Sequence, residues 1–186
     1  MSVTTVLVVI TSGAYEQAFL ICKDKIELDT LIKLTLIRSL IMLAIISLIF
    51  IISINTVPFL FNYQVYQNWI FIASLTAFFT IIFNSYNEWS VKQKKFKNLA
   101  ASKIYNSLIV SLQKSINKFL SFISNGLIIG ELIGKFILSL ICLRSMQSMG
   151  ANIFKGYNVK ILKKTRQKFK DYPRFMMFDL LINTLG

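Results

Sequence analysis

The sequence predicts an all-α fold, a single polytopic bundle over residues 1–186 with about five transmembrane helices and the start of another. Three observations carry that expectation. Hydrophobic residues make up 55% of the 186 and charged residues only 16%, with mean hydropathy +0.61, outside the usual range of soluble domains. Apolar runs of about 20 residues, enough to cross a hydrocarbon core, follow one another from Leu34 to Leu143. The 21 Lys and Arg residues fall unevenly between those runs: none lies in Ser53 to Asn68, whereas 92–103 and 144–174 are densely basic. That asymmetry is the one described by the positive-inside rule.

The first span, near 3–21, is weakened by Ser12, Gly13 and Glu16 and reads as a truncated helix. Residues 23–33 mix Lys23, Lys25 and Lys33 with Asp24, Glu27 and Asp29 and read as a polar cytoplasmic turn. The second span, 34–54, carries one charge, Arg38, whose long stem can snorkel back to the interface. Asn55, Pro58 and Asn62 end it, and Phe59, Phe61, Tyr63, Tyr66 and Trp69 suit an outer membrane interface. The third span, 69–86, is uncharged and returns the chain to Lys92, Lys94, Lys95 and Lys97. The fourth, 99–123, turns at Ser124 and Asn125 into the fifth, 126–143. Residues 144–174 then hold nine basic residues against Asp171 alone, and 155–170 is expected to form a cytoplasmic, basic amphipathic helix. Residues 173–186 begin a further span. Seventeen of the 21 basic residues fall in 23–33, 91–103 and 144–174, which places those segments in the cytoplasm and the N-terminus outside.

Four basic residues remain inside the runs. In the fourth span Lys103, Asn106, Ser107, Lys114, Asn117, Lys118 and Ser121 gather on one side of a helix, with Leu108, Ile109, Leu112, Ile116 and Phe119 opposite. A charge at mid-bilayer costs roughly 2.5–3.5 kcal/mol, so such residues usually face a bundle interior or a wet cavity. One reading of Lys114 and Lys118 is therefore a cationic wall for an anionic substrate; the other is snorkelling to the outer interface. Glu131 and Lys135, four apart in the fifth span, can pair on one helix face or take part in substrate or ion binding. Gly126, Gly130 and Gly134 repeat at the same spacing and offer a smooth seam for a neighbouring helix.

The chain has no histidine, which excludes imidazole acid/base chemistry and a Ser-His-Asp arrangement. No catalytic residue, metal site or cofactor is expected, and the chain is read as a non-enzyme. Cys22 and Cys142 read as packing residues in a reducing compartment. The basic clusters read as topology determinants against anionic lipid headgroups, with no nucleic acid partner.

Three strings resemble a known family when taken together. They are GAYEQAFLICKDKIELDTLIKLTL from Gly13 to Leu36, YNEWSVKQKKFKNLAASKIYNSL from Tyr86 to Leu108, and KDYPRFMMFDLLINTLG from Lys170 to Gly186. Their order and spacing resemble the bacterial polysaccharide flippases, of O-antigen and capsule type, within the multidrug/oligosaccharidyl-lipid/polysaccharide exporter superfamily. The resemblance implies that the chain runs from the end of the second span to the start of the seventh, an N-terminal-half fragment. It also implies a multi-pass protein of the bacterial inner membrane that turns a polyprenyl-pyrophosphate-linked oligosaccharide from the cytoplasmic to the outer leaflet in lipopolysaccharide or capsule biosynthesis. Partners would be the lipid-linked oligosaccharide, membrane lipids and assembly proteins such as a polysaccharide polymerase. Two other functions stay open from the residues. One is a cation-coupled drug exporter, which would use Glu131; the other is a non-transporting protein that binds partner helices through the glycine seam.

Overall fold

A computed structural model describes residues 3–56, 63–119, 126–151 and 159–185, and among them the regular structure is all helical with no strand. Helix α1 (Val3–Ser12) leads into a 3-10 helix (Tyr15–Ile21), followed by α2 (Lys25–Thr56), α3 (Tyr63–Lys92), α4 (Phe96–Phe119), α5 (Gly126–Ser148), α6 (Val159–Lys168) and α7 (Tyr172–Leu185). Of the expected outer connection at 53–68, residues 53–56 instead end α2 and 63–68 open α3, while 57–62 and the turn at Ser124 and Asn125 lie outside the described residues.

The first run is not one continuous helix. Gly13 and Ala14 both take left-handed backbone, with φ of 59° and 58°, and the two halves meet at 55°. Glycine adopts that conformation without steric cost, whereas Ala14 sits there at about 1–2 kcal/mol. The Ala14 amide donates to Ser12 Oγ at 3.2 Å, which supplies an acceptor where the helical ladder stops.

Residues 23–33 are corrected from a polar turn to the opening of α2, which begins at Lys25. Leu28, Leu31, Ile32 and Thr35 follow helical spacing and are all buried, while Glu27 in the first turn suits the helix dipole. Charge dominated the composition of this segment, but its apolar periodicity decides its structure.

Helix α3 is the centre of the bundle and packs against α1, the 3-10 helix, α2, α4 and α5. The larger core joins Tyr15 and Phe19 to Leu28, Leu31, Phe83, Tyr86, Trp89, Leu138 and Met146. A smaller one joins Val8, Leu43, Ala77 and Ile81. Cys22 and Cys142 are free and buried in the larger core, in line with packing roles.

The outer faces are apolar. Leu40, Ile41, Ile45, Leu48, Ile49 and Ile52 are exposed along α2, as are Ile133, Phe136, Ile137, Leu140 and Ile141 along α5. Among the described residues, one helix over Lys25–Ile49 is long and apolar enough to cross a membrane, and Thr4–Ser12 with Tyr15–Ile21 passes the same test when the bent pair is taken together. In α5, Glu131, Lys135 and Arg144 place three charges within five turns, which lowers its apolar character below that of α2.

Candidate functional site

The break after α1 creates room for a side chain from α2. Gly13 is buried with no side chain of its own, and a Cβ built on it would lie 2.5 Å from Arg38 Cζ. The guanidinium therefore rests directly on the glycine backbone. It also lies 4.9 Å from the centre of the Tyr15 ring, a cation–π arrangement. Its position beside the last turn of α1 is electrostatically favourable, because the helix macrodipole is negative there. Arg38, read from the sequence as a snorkelling residue, is thus placed between α1, the 3-10 helix and α2.

Arg38 and Tyr15 form one side of a cleft of about 490 Å³ whose opposite side comes from α6 and the start of α7. Arg166 and Lys170 add two further cations, while Leu34, Ile37, Ile41, Met42, Leu162 and Pro173 supply apolar walls. The guanidinium groups of Arg38 and Arg166 present planar forks of N–H donors that match phosphate or carboxylate oxygens. The cleft joins anion-binding groups to hydrocarbon surface, which is the chemistry of an anionic headgroup on an apolar tail.

Beside it, Glu16 is only 8% exposed and its Oε2 has no hydrogen-bond partner. On the basic side of the bundle, Lys92 donates to the Leu20 carbonyl at 2.8 Å and caps the end of the 3-10 helix. Lys168 forms an ion pair with Glu27 and so fastens α6 to the first turn of α2. The carboxylate of Glu27 holds the Lys168 ammonium above its ordinary value.

The residues singled out from sequence are placed elsewhere. Lys114 and Lys118 lie on the later turns of α4, and their side chains fall outside the described residues. The earlier part of α4 does not divide cleanly into wet and apolar sides. Lys103 and Ser107 are exposed, but so are Leu108 and Leu112, while Ile109 packs on the core. Lys135 is not ion-paired along its own helix with Glu131. Instead it donates to Asn106 Oδ1 on α4 at 3.3 Å and lies 5.5 Å from the Phe83 ring centre on α3. A reach across helices satisfies the ammonium with an oxygen and a ring face, and Glu131 stays half-buried nearby. Of the glycine seam, Gly134 is buried, Gly130 is half-buried, and the surroundings of Gly126 lie outside the described residues.

A second, smaller cavity of about 120 Å³ lies among α3, α4 and α5, lined by Tyr86, Ser102, Cys142 and Ser145. It carries no charged residue. Sequence reasoning missed Arg38, Arg166, Lys170 and Tyr15 as a group. The available signal was a lone arginine in an apolar run together with a glycine that interrupts the preceding one. No protein-family model, no curated protein and no solved structure matches the chain.

Proposed function

We propose that this chain is a multi-pass protein of the bacterial inner membrane that binds and flips a polyprenyl-pyrophosphate-linked oligosaccharide for surface polysaccharide biosynthesis. The observation that carries the reading is the cleft in which Arg38, Arg166 and Lys170 face apolar walls. A pyrophosphate would engage the cations, and the first isoprene units would lie against Ile37, Ile41 and Met42. The likeness of the three strings to polysaccharide flippases supports the same substrate class.

The membrane placement has its own support. Only 28% of the apolar window of α2 is buried, whereas a core helix of a soluble protein would bury most of it. At 1.5 Å per residue, α2, α3, α4 and α5 are each long enough to reach across about 30 Å of hydrocarbon. Large exposed apolar faces on several helices at once fit contact with lipid. The cleft's three cations give no support to a drug exporter that concentrates carboxylates in its cavity.

The test is equilibrium binding to the purified full chain in detergent micelles, comparing a polyprenyl pyrophosphate with the corresponding polyprenol. The pyrophosphate form should bind at least about tenfold more tightly, and Arg38→Gln should remove about 1.5–3 kcal/mol, the range for hydrogen bonds to charged groups. Equal binding of the two lipids, or an Arg38→Gln variant indistinguishable from the parent, would sink the proposal.

A further inference from the structure

Helix α6 sorts its cations by direction. At 100° per residue, Leu162 and Thr165, with Phe169 just beyond the helix, form its inward stripe; Thr165 and Phe169 are each 5% exposed. On one flank Arg166 and Lys170 line the cleft. On the other, Lys168 meets Glu27. Lys160, Lys163 and Lys164 occupy the remaining outward sector with Gln167, and all four are exposed. No acidic residue interrupts Val159–Lys168.

The helix packs on α2, beside the stretch where the charges of Lys25 to Lys33 give way to exposed Leu40, Ile41 and Ile45. In a bilayer that transition marks the level of the headgroups. We infer that the outward face of α6, centred on Lys160, Lys163 and Lys164, is a docking surface for anionic phospholipid headgroups, separate from the cleft. The inference rests on the membrane placement proposed above but not on the transported substrate. Charge complementarity selects the occupant, because clustered lysines beside a membrane-crossing helix attract acidic lipid over zwitterionic lipid.

The test uses the full chain with Cys22→Ser and Cys142→Ser and one spin-labelled cysteine at Gln167→Cys, in nanodiscs of phosphatidylcholine with or without phosphatidylglycerol. At low salt, phosphatidylglycerol should shield the label from a water-soluble nickel chelate. The ratio of protected to unprotected label at a fixed phosphatidylglycerol fraction should fall about fivefold for each lysine changed to glutamine, equivalent to about 1 kcal/mol per basic residue near an anionic surface. Equal accessibility in both lipids, or protection that persists in Lys160→Gln/Lys163→Gln/Lys164→Gln, would overturn the inference. So would protection by an RNA oligonucleotide in phosphatidylcholine discs that exceeds that by phosphatidylglycerol. A second label, at Leu48→Cys, keeps the two readings apart. If it contacts bilayer oxygen while Gln167→Cys ignores phosphatidylglycerol, only the α6 surface fails; if it is open to the chelate, the membrane placement fails as well.

Discussion

Replacing Gly13 by alanine sets backbone strain and side-chain clash at the same point, and the two parts can be separated. The backbone there has φ of 59°, which costs an alanine about 1–2 kcal/mol relative to its preferred conformations. The new Cβ would also stand 2.5 Å from Arg38 Cζ and Nη2 and 2.6 Å from Nη1. The guanidinium is the far end of a flexible side chain and can swing away, but it then leaves the Tyr15 ring, a further loss of about 0.5–1 kcal/mol. The expected total is about 2 kcal/mol, which for a chain of this size lowers the melting temperature by about 4–8 °C. Thermal unfolding in micelles measures it, in a cycle with Arg38→Ala. In the Arg38→Ala background only the backbone part should remain, so Gly13→Ala should cost less there by about 0.5–1 kcal/mol. Equal costs in both backgrounds, or an alanine variant as stable as the parent, would refute the contact between Gly13 and Arg38. The same variant should weaken pyrophosphate binding because the displaced guanidinium no longer faces the cleft.

Two further perturbations probe how the helices are joined. Asn106→Leu leaves the half-buried Lys135 ammonium without its 3.3 Å acceptor, a loss of about 1–3 kcal/mol. Adding Lys135→Met should recover part of that stability in thermal unfolding, and strictly additive losses would count against the bridge from α5 to α4. At the other end of the bundle, Lys168 is held above its ordinary value of 10.5 by the Glu27 carboxylate. A raised lysine contributes fully below its unfolded value and loses that contribution only as pH rises through the folded one. The hold of α2 on α6 should therefore persist across neutral pH and open above about 10.5. Energy transfer between dyes on α2 and α6 should report the same opening for Glu27→Gln at neutral pH, with closure restored by Glu27→Lys combined with Lys168→Glu. A separation unchanged in Glu27→Gln would show that the buried stripe of α6 alone holds it in place.

Helix positions were legible in the sequence wherever apolar length alone decides them. The runs read at 34–54, 69–86 and 126–143 lie within α2, α3 and α5, because a continuous apolar stretch of that length has few alternatives to a helix. Residues 23–33 misled because six charged side chains hid Leu28, Leu31 and Ile32, and helical burial needs only one face of the segment. The amphipathic basic helix expected at 155–170 is present as Val159–Lys168, since the spacing of Leu162, Thr165 and Phe169 among the lysines already contains the inward stripe.

The cleft was less legible, and the reason is that its residues come from three separated parts of the chain. Spacing within one helix can place Lys135 beside Glu131, but it cannot show that the ammonium also reaches Asn106 on α4 and the Phe83 ring on α3. Arg38 posed the same problem with a local clue attached. An arginine one turn inside an apolar run can reach back to water, or it can pack on a neighbouring segment with no side chain in the way. Gly13 interrupts the first run and provides the second kind of site. A helix break in one apolar run and a lone cation in the next therefore belong together as a pair. The physical reason is shared, because the left-handed break at Gly13 leaves no side chain where the guanidinium sits, and the end of α1 carries the negative pole of the helix dipole. On that logic Gly13→Ala and Arg38→Gln should each weaken binding of an anionic amphiphile, and the double variant should be no worse than Arg38→Gln alone. A double variant that loses the product of the two single effects would mean that break and cation act independently.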